Sequence, residues 1–199
     1  VMMYIAGTHP KWLLLGAAGA AVFLLVYIRF MGYAGDRVTA WRHPELDPGD
    51  TGYQILQSLY AIGSGGFFGL GPGKSRQKYL YLPFQYNDYI FAIVCEELGL
   101  VGALGIMALF ALLIFRGYRI ARQAENRFST SLAAGLISLI AVQTILNLCV
   151  VTNLLPSTGI ALPFFSYGGT ALAVNLGEMG IVLNISRSGK KRTIQEAAN

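Results

Sequence analysis

The sequence predicts an all-α fold: a polytopic transmembrane helical bundle with one large extracellular loop. Three observations predict it. Of 199 residues, 54% are hydrophobic and only 13% charged, against about 25% charged in an ordinary soluble domain. The mean hydropathy is +0.52. The apolar residues gather into runs of about 20, long enough to cross the hydrocarbon core as helices, and most of the charge lies between those runs.

Taken in order, residues 1–7 (VMMYIAG) are apolar and lack the basic start and small-residue cleavage site of a signal peptide. They read as the last turns of an earlier span, so the chain is expected to be the C-terminal part of a longer protein, a single membrane domain over 1–199. Pro10 disfavours helix at His9. The first span is expected at 12–31, where Gly16, Gly19 and four alanines allow a neighbouring helix to approach closely. Residues 32–88 form the large outer loop, mixing acids, bases and prolines. Within it, 53–62 (YQILQSLYAI) places apolar residues at helical spacing and Gln54, Gln57 and Ser58 on another face, the pattern of an amphipathic helix.

Six glycines follow between Gly63 and Gly73. They serve either backbone freedom in a tight loop or close approach to the polar head of a ligand. The second span is expected at 89–115, with Glu96 and Glu97 near its start, and the third at 132–151, with Gln143 and Asn147 one turn apart. Residues 152–167 are broken by Pro156, Gly159 and Pro163. They are expected to form a second outer loop tucked into the protein, because bare backbone does not face lipid. The last span is expected at 168–185.

Charge sets the topology. Arg116, Arg119, Arg122 and Arg127 flank one span end, and Arg187, Lys190, Lys191 and Arg192 another. Such clusters are read as cytoplasmic, which puts both loops on the outer side, where they can meet. Arg37, Arg42, Lys74, Arg76 and Lys78 then also lie outside, and an anionic ligand accounts for them. The formal net charge of +5 therefore follows span ends rather than a soluble basic face, which argues against nucleic acid. Cys95 and Cys149 sit in apolar segments and read as buried small hydrophobes. The Gly73-Lys74-Ser75 triplet does not make a phosphate-binding loop, since Phe68 stands where that motif needs its first glycine.

Two long motifs carry a resemblance. The first comprises Gly52-Tyr53-Gln54, then GSGGFFGLGPGKSRQKYLYLP, then Asp88-Tyr-Ile-Phe-Ala and Glu96-Glu97-Leu-Gly99. It resembles the outer loop of the SEDS family (shape, elongation, division and sporulation), which includes FtsW, RodA and SpoVE. The second, LLPSTGIALPFFSYGGTALAVNLGEMGIVLNISR, resembles that family's C-terminal signature. The Ser75-Arg76-Gln77-Lys78 run is closest to the FtsW and SpoVE branch. The resemblance implies the C-terminal half of a ten-span protein in the bacterial cytoplasmic membrane, with its C-terminus cytoplasmic. It implies a peptidoglycan glycosyltransferase that polymerises lipid II into glycan strands outside the membrane, for division or sporulation. The implied partners are a class B penicillin-binding transpeptidase and other division or sporulation proteins, and a divalent cation, Mg or Mn, is implied as cofactor. The family's essential aspartate falls on Asp88. Phe84 and Asn87 depart from the glutamate and threonine usual in relatives.

That chemistry joins a sugar hydroxyl to an anomeric carbon and expels a lipid pyrophosphate. Asp88 is the candidate base on the strength of the resemblance; from the residues alone it reads more readily as a helix N-cap ahead of Tyr89. Lys74, Ser75, Arg76, Gln77 and Lys78 form the candidate substrate-binding run, its cations stabilising the leaving group or facing headgroups. Glu96 and Glu97 point about 100° apart on a helix, so one is expected to face a polar cavity and the other to pair with a basic or backbone group. Ser166 and Tyr167 are expected to line the same cavity, and Asn175 and Glu178 to fix the last helix. No metal-ligand spacing is recognisable. The competing readings are a flippase or transporter for a lipid-linked precursor, which would stage charge through the membrane depth, and a scaffold that recruits a synthase without using Asp88.

Overall fold

In the computed structural model, residues 3, 7–30, 32–46, 51–75 and 88–198 are described. Six α-helices occur among the described residues. α1 is Pro10–Phe30, α2 Gly32–Arg42 and α3 Thr51–Gly65, with a single 3-10 turn at Pro44–Leu46 between the last two. α4 is Ile90–Arg122, α5 Arg127–Val151 and α6 Gly169–Ala198. No strand occurs among the described residues.

α1 opens on Pro10 itself, the helix position that tolerates proline because its missing N–H has no partner there. Among its apolar side chains Trp12, Leu15, Phe23 and Phe30 are exposed. α2 was not expected. It lies inside the segment read as loop, and its sequence (GYAGDRVTAWR) has two glycines and low intrinsic preference. Tertiary bonds hold it instead. Arg37 Nη1 donates to the Ser157 carbonyl at 2.9 Å and Trp41 Nε1 to the Asn153 carbonyl at 2.9 Å. α3 covers the expected amphipathic helix and extends it at both ends. Its Ser58 hydroxyl, fully buried, donates to the Val151 carbonyl at 2.9 Å.

α4 and α5 form the antiparallel centre of the bundle and are the two described helices long and apolar enough to cross a membrane. α4 is not one regular helix. It breaks at Gly99 (φ 66°, ψ −167°), and the glycine-rich turn after α3 fills the break. The Leu70 and Gly71 amides donate to the Glu96 and Glu97 carbonyls at 2.9 and 3.0 Å. In return the Leu100 and Val101 amides donate to the Gly66 and Phe67 carbonyls at 2.9 and 3.2 Å. A helix end normally leaves such groups without partners; here each strand of backbone satisfies the other. The fit requires glycine. A Cβ on Gly69 would lie 2.2 Å from the Glu97 oxygen, and one on Gly99 2.4 Å from the Gly69 nitrogen. The glycines of this turn thus give close approach to α4 itself.

The two halves of α4 differ. Before the break, Phe91, Ala92, Ile93, Cys95 and Glu96 are buried, and the four apolar ones pack with Ala61, Val151 and Leu162. After it, Leu100, Val101, Leu104, Leu109, Leu112 and Phe115 face outward, as suits a lipid-facing helix. At the far end Ala121, Ala133 and Ala134 pack with Tyr118 and Ile185. α6 runs on past the expected span end at 185. Lysine, arginine, glutamine and alanine in the basic tail favour helix, and Gly189 does not end it.

Candidate functional site

Residues 152–167 carry no regular helix and pass into the bundle, as their broken pattern predicted. Leu162 and Pro163 are fully buried. The Phe165 ring meets that of Phe110 at 5.9 Å between centroids, about 16 Å along α4 beyond Gly99 at 1.5 Å per residue. Asn153 and Phe164 hold positive φ (58° and 64°). This segment is tied to α2 through Arg37 and Trp41, so the two segments expected to be outer loops meet.

Asp88 lies where they meet, in the turn just ahead of α4. Asn147 of α5, 1% exposed, fixes it. Its Nδ2 donates to the Asp88 carbonyl at 2.7 Å and to the Ile160 carbonyl at 2.8 Å. A methyl placed on Gly159 would stand 3.6 Å from Asp88 Oδ2. The carboxyl group is half-buried, and loss of solvent raises its pKa above the ordinary aspartate value, while the Arg37 charge partly opposes the rise. Desolvation makes this carboxylate more basic, which suits a proton acceptor, and the Arg37 charge tempers the effect. In the sequence Arg37 is one of five cations in segments expected to lie outside. Its place beside Asp88, 51 residues away in the chain, had no local signal.

The other predicted residues divide. Ser75 is buried and donates to Glu96 Oε2, itself 1% exposed. Glu97 directs Oε1 into the protein with no partner among the described residues. Glu96 thus takes a side-chain hydroxyl as partner, where a basic or backbone group was expected. Lys74 is exposed. Arg76, Gln77 and Lys78 lie outside the described residues. Ser166 accepts the Leu162 amide at 2.7 Å and lines a cleft of about 440 Å³ with Gln143, Phe164, Thr170 and Asn175. Tyr167 is 83% exposed and does not line it. Asp88 is not in that lining either; the cleft reaches its neighbourhood through Ile160. Asn175 is buried, and Glu178 turns Oε2 inward without a partner among the described residues. No three His, Cys, Asp or Glu side chains gather among the described residues, so those residues do not form a metal cage.

A bundle of apolar helices, with an inward-folded loop holding a half-buried aspartate at one end, defines a helical membrane protein with a polar site at the bundle end. The chain belongs to the FtsW/RodA/SpoVE family of cell cycle proteins, which it matches over residues 1–191. It is 46% identical over 188 residues to stage V sporulation protein E of Bacillus subtilis, covering 94% of this chain and 51% of that protein. It is 43% identical over 186 residues to the probable peptidoglycan glycosyltransferase FtsW of Geobacter sulfurreducens, covering 94% and 50%. Among solved structures it superposes on a chain of a peptidoglycan synthase complex that coordinates polymerization and crosslinking. The TM-score is 0.77 and the identity 27%, over 95% of this chain and 52% of that one. It also matches a mutant of the rod shape determining protein RodA of Thermus thermophilus. There the TM-score is 0.52 and the identity 32%, over 65% of this chain and 39% of that one. The chain spans about half the length of the curated relatives it matches.

Proposed function

We propose that this chain is the aspartate-bearing half of a peptidoglycan glycosyltransferase that polymerises lipid II on the outer face of the cytoplasmic membrane. The observation that supports it most is the setting of Asp88: half-buried, anchored by Asn147, with Arg37 close by. Asp88 takes the proton from the acceptor sugar hydroxyl. The oxygen then bonds to the anomeric carbon of the donor, and the bond to the lipid pyrophosphate breaks. Positive charge on Arg37 and Lys74, with Arg76 and Lys78 of the adjoining segment, offsets the charge that develops on the leaving group. A divalent cation, Mg or Mn, would add to that neutralisation while held chiefly by the pyrophosphate, since magnesium keeps several waters and uses few protein carboxylates.

The sidedness rests on the arginines at the α4–α5 turn and in the tail, which mark the cytoplasmic end and put Asp88 outside. The partner is a class B penicillin-binding transpeptidase, in keeping with the coupled synthase complex this chain superposes on. The test is polymerisation of purified lipid II by the full-length parent protein with that partner, across a series of divalent cations. Long glycan strands are expected. Their absence under every cation would overturn the polymerase reading in favour of transport or scaffolding.

A further inference from the structure

At the end of the bundle opposite Asp88, a second cleft opens between α4 and α5. Its volume is about 490 Å³, and its walls are Phe115, Tyr118, Ala121, Ala134, Thr130 and Arg122. The apolar part is continuous with the outward face of α4, where Leu112 and Phe115 are exposed. Its floor is settled internally. Ser138 spends its proton on the Ala134 carbonyl at 2.6 Å, so the Tyr118 hydroxyl donates to Ser138 at 2.7 Å. Its mouth is cationic. Arg122 lines it, and Arg116 and Arg119 precede Arg122 at three-residue intervals, spread over about 120° of the helix. Arg127 opens α5, and Arg187 of α6 follows Ile185, which packs against this same end.

We propose that this cleft is a binding site for an anionic phospholipid, one acyl chain lying along Phe115 and Ala134 and the phosphate on Arg122. Charge complementarity selects the occupant. The apolar walls of the cleft suit any acyl chain, but a guanidinium at its mouth prefers a headgroup with net negative charge. The site is independent of the chemistry at Asp88.

The probes are phosphatidylglycerol and phosphatidylcholine of equal chain length. They are titrated onto the delipidated full-length protein and followed by native mass spectrometry. Wild type is expected to hold one phosphatidylglycerol more tightly than phosphatidylcholine. Arg122→Gln is expected to weaken it roughly five-fold, the worth of one basic contact near a membrane surface. Arg116→Gln, at the same end but outside the cleft, is expected to stay near wild type. Thr130→Phe, which fills the cleft and keeps every arginine, is expected to remove the bound lipid. Equal affinity for the two lipids would overturn the proposal. So would equal losses in the two arginine variants, which mark diffuse attraction rather than a site, or full retention by Thr130→Phe.

Discussion

Asn147 donates one amide hydrogen to the main-chain carbonyl of Asp88 at 2.7 Å and the other to Ile160 at 2.8 Å. One buried side chain therefore sets both the turn that carries the carboxyl group and the loop that packs over it. Asn147→Ala leaves two carbonyls without a donor, which costs about 1–3 kcal/mol each where no water replaces it. The full-length variant is expected to melt at lower temperature. Where it remains folded, it is expected to polymerise lipid II on the order of 10²-fold more slowly, the scale of an ångström-sized misplacement. An unchanged rate in a folded variant would show that Asp88 needs no such anchor.

Burial raises the Asp88 pKa, and Arg37 restrains the rise. A base acts ionised, so the acid limb of the pH–rate profile is expected above the ordinary aspartate range. Arg37→Gln should move that limb higher still, and Arg37→Lys should move it less. For stability the sign is the reverse of a salt-bridged carboxylate. The folded state holds the proton more tightly, so this group's contribution is present below the ordinary aspartate pKa and lost as pH rises through the raised one. A limb that shifts downward in Arg37→Gln would contradict the assignment.

The interlock at Gly99 leaves no room for a methyl group on either side. Gly69→Ala and Gly99→Ala each meet backbone well inside contact distance at a positive φ, and each is expected to destabilise by roughly 3 kcal/mol or more. Gly105 offers the control: a Cβ there meets nothing within 4 Å, so Gly105→Ala is expected to be neutral or to stabilise by up to about 1 kcal/mol. Thermal unfolding in detergent separates the three.

Ser75 and Glu96 are buried together. Ser75→Ala leaves a buried carboxyl without this donor, with an expected loss of about 1–3 kcal/mol. Combined with Glu96→Gln it is expected to be non-additive, as for residues in contact. A residue that served substrate alone would instead raise KM and leave the melting temperature unchanged.

Much of this was legible in the sequence. The long apolar runs marked the helices, and the prolines and glycine of residues 152–167 marked a segment that cannot be a span. The break at Gly99 was hidden because hydropathy records no φ and the run around it stays apolar. α2 was hidden because Gly32, Gly35 and Thr39 are weak helix formers and its support comes from Ser157 and Asn153, more than a hundred residues on. Arg37 was one cation among several until the fold put it beside Asp88. Asn147 was visible only as a polar residue one turn from Gln143 on an apolar span.

The most direct test of Asp88 as the base is single-turnover polymerisation of lipid II by the full-length protein with its transpeptidase partner, wild type against Asp88→Asn. Melting temperature and partner binding serve as controls. Asp88→Asn keeps the size of the side chain and the main-chain bond from Asn147 while removing the basic oxygen. The rate is expected to fall at least about 10²-fold, the lower range for general-base catalysis, with both controls unchanged. A rate within a few-fold of wild type would contradict the account and move the search for the base to Glu97.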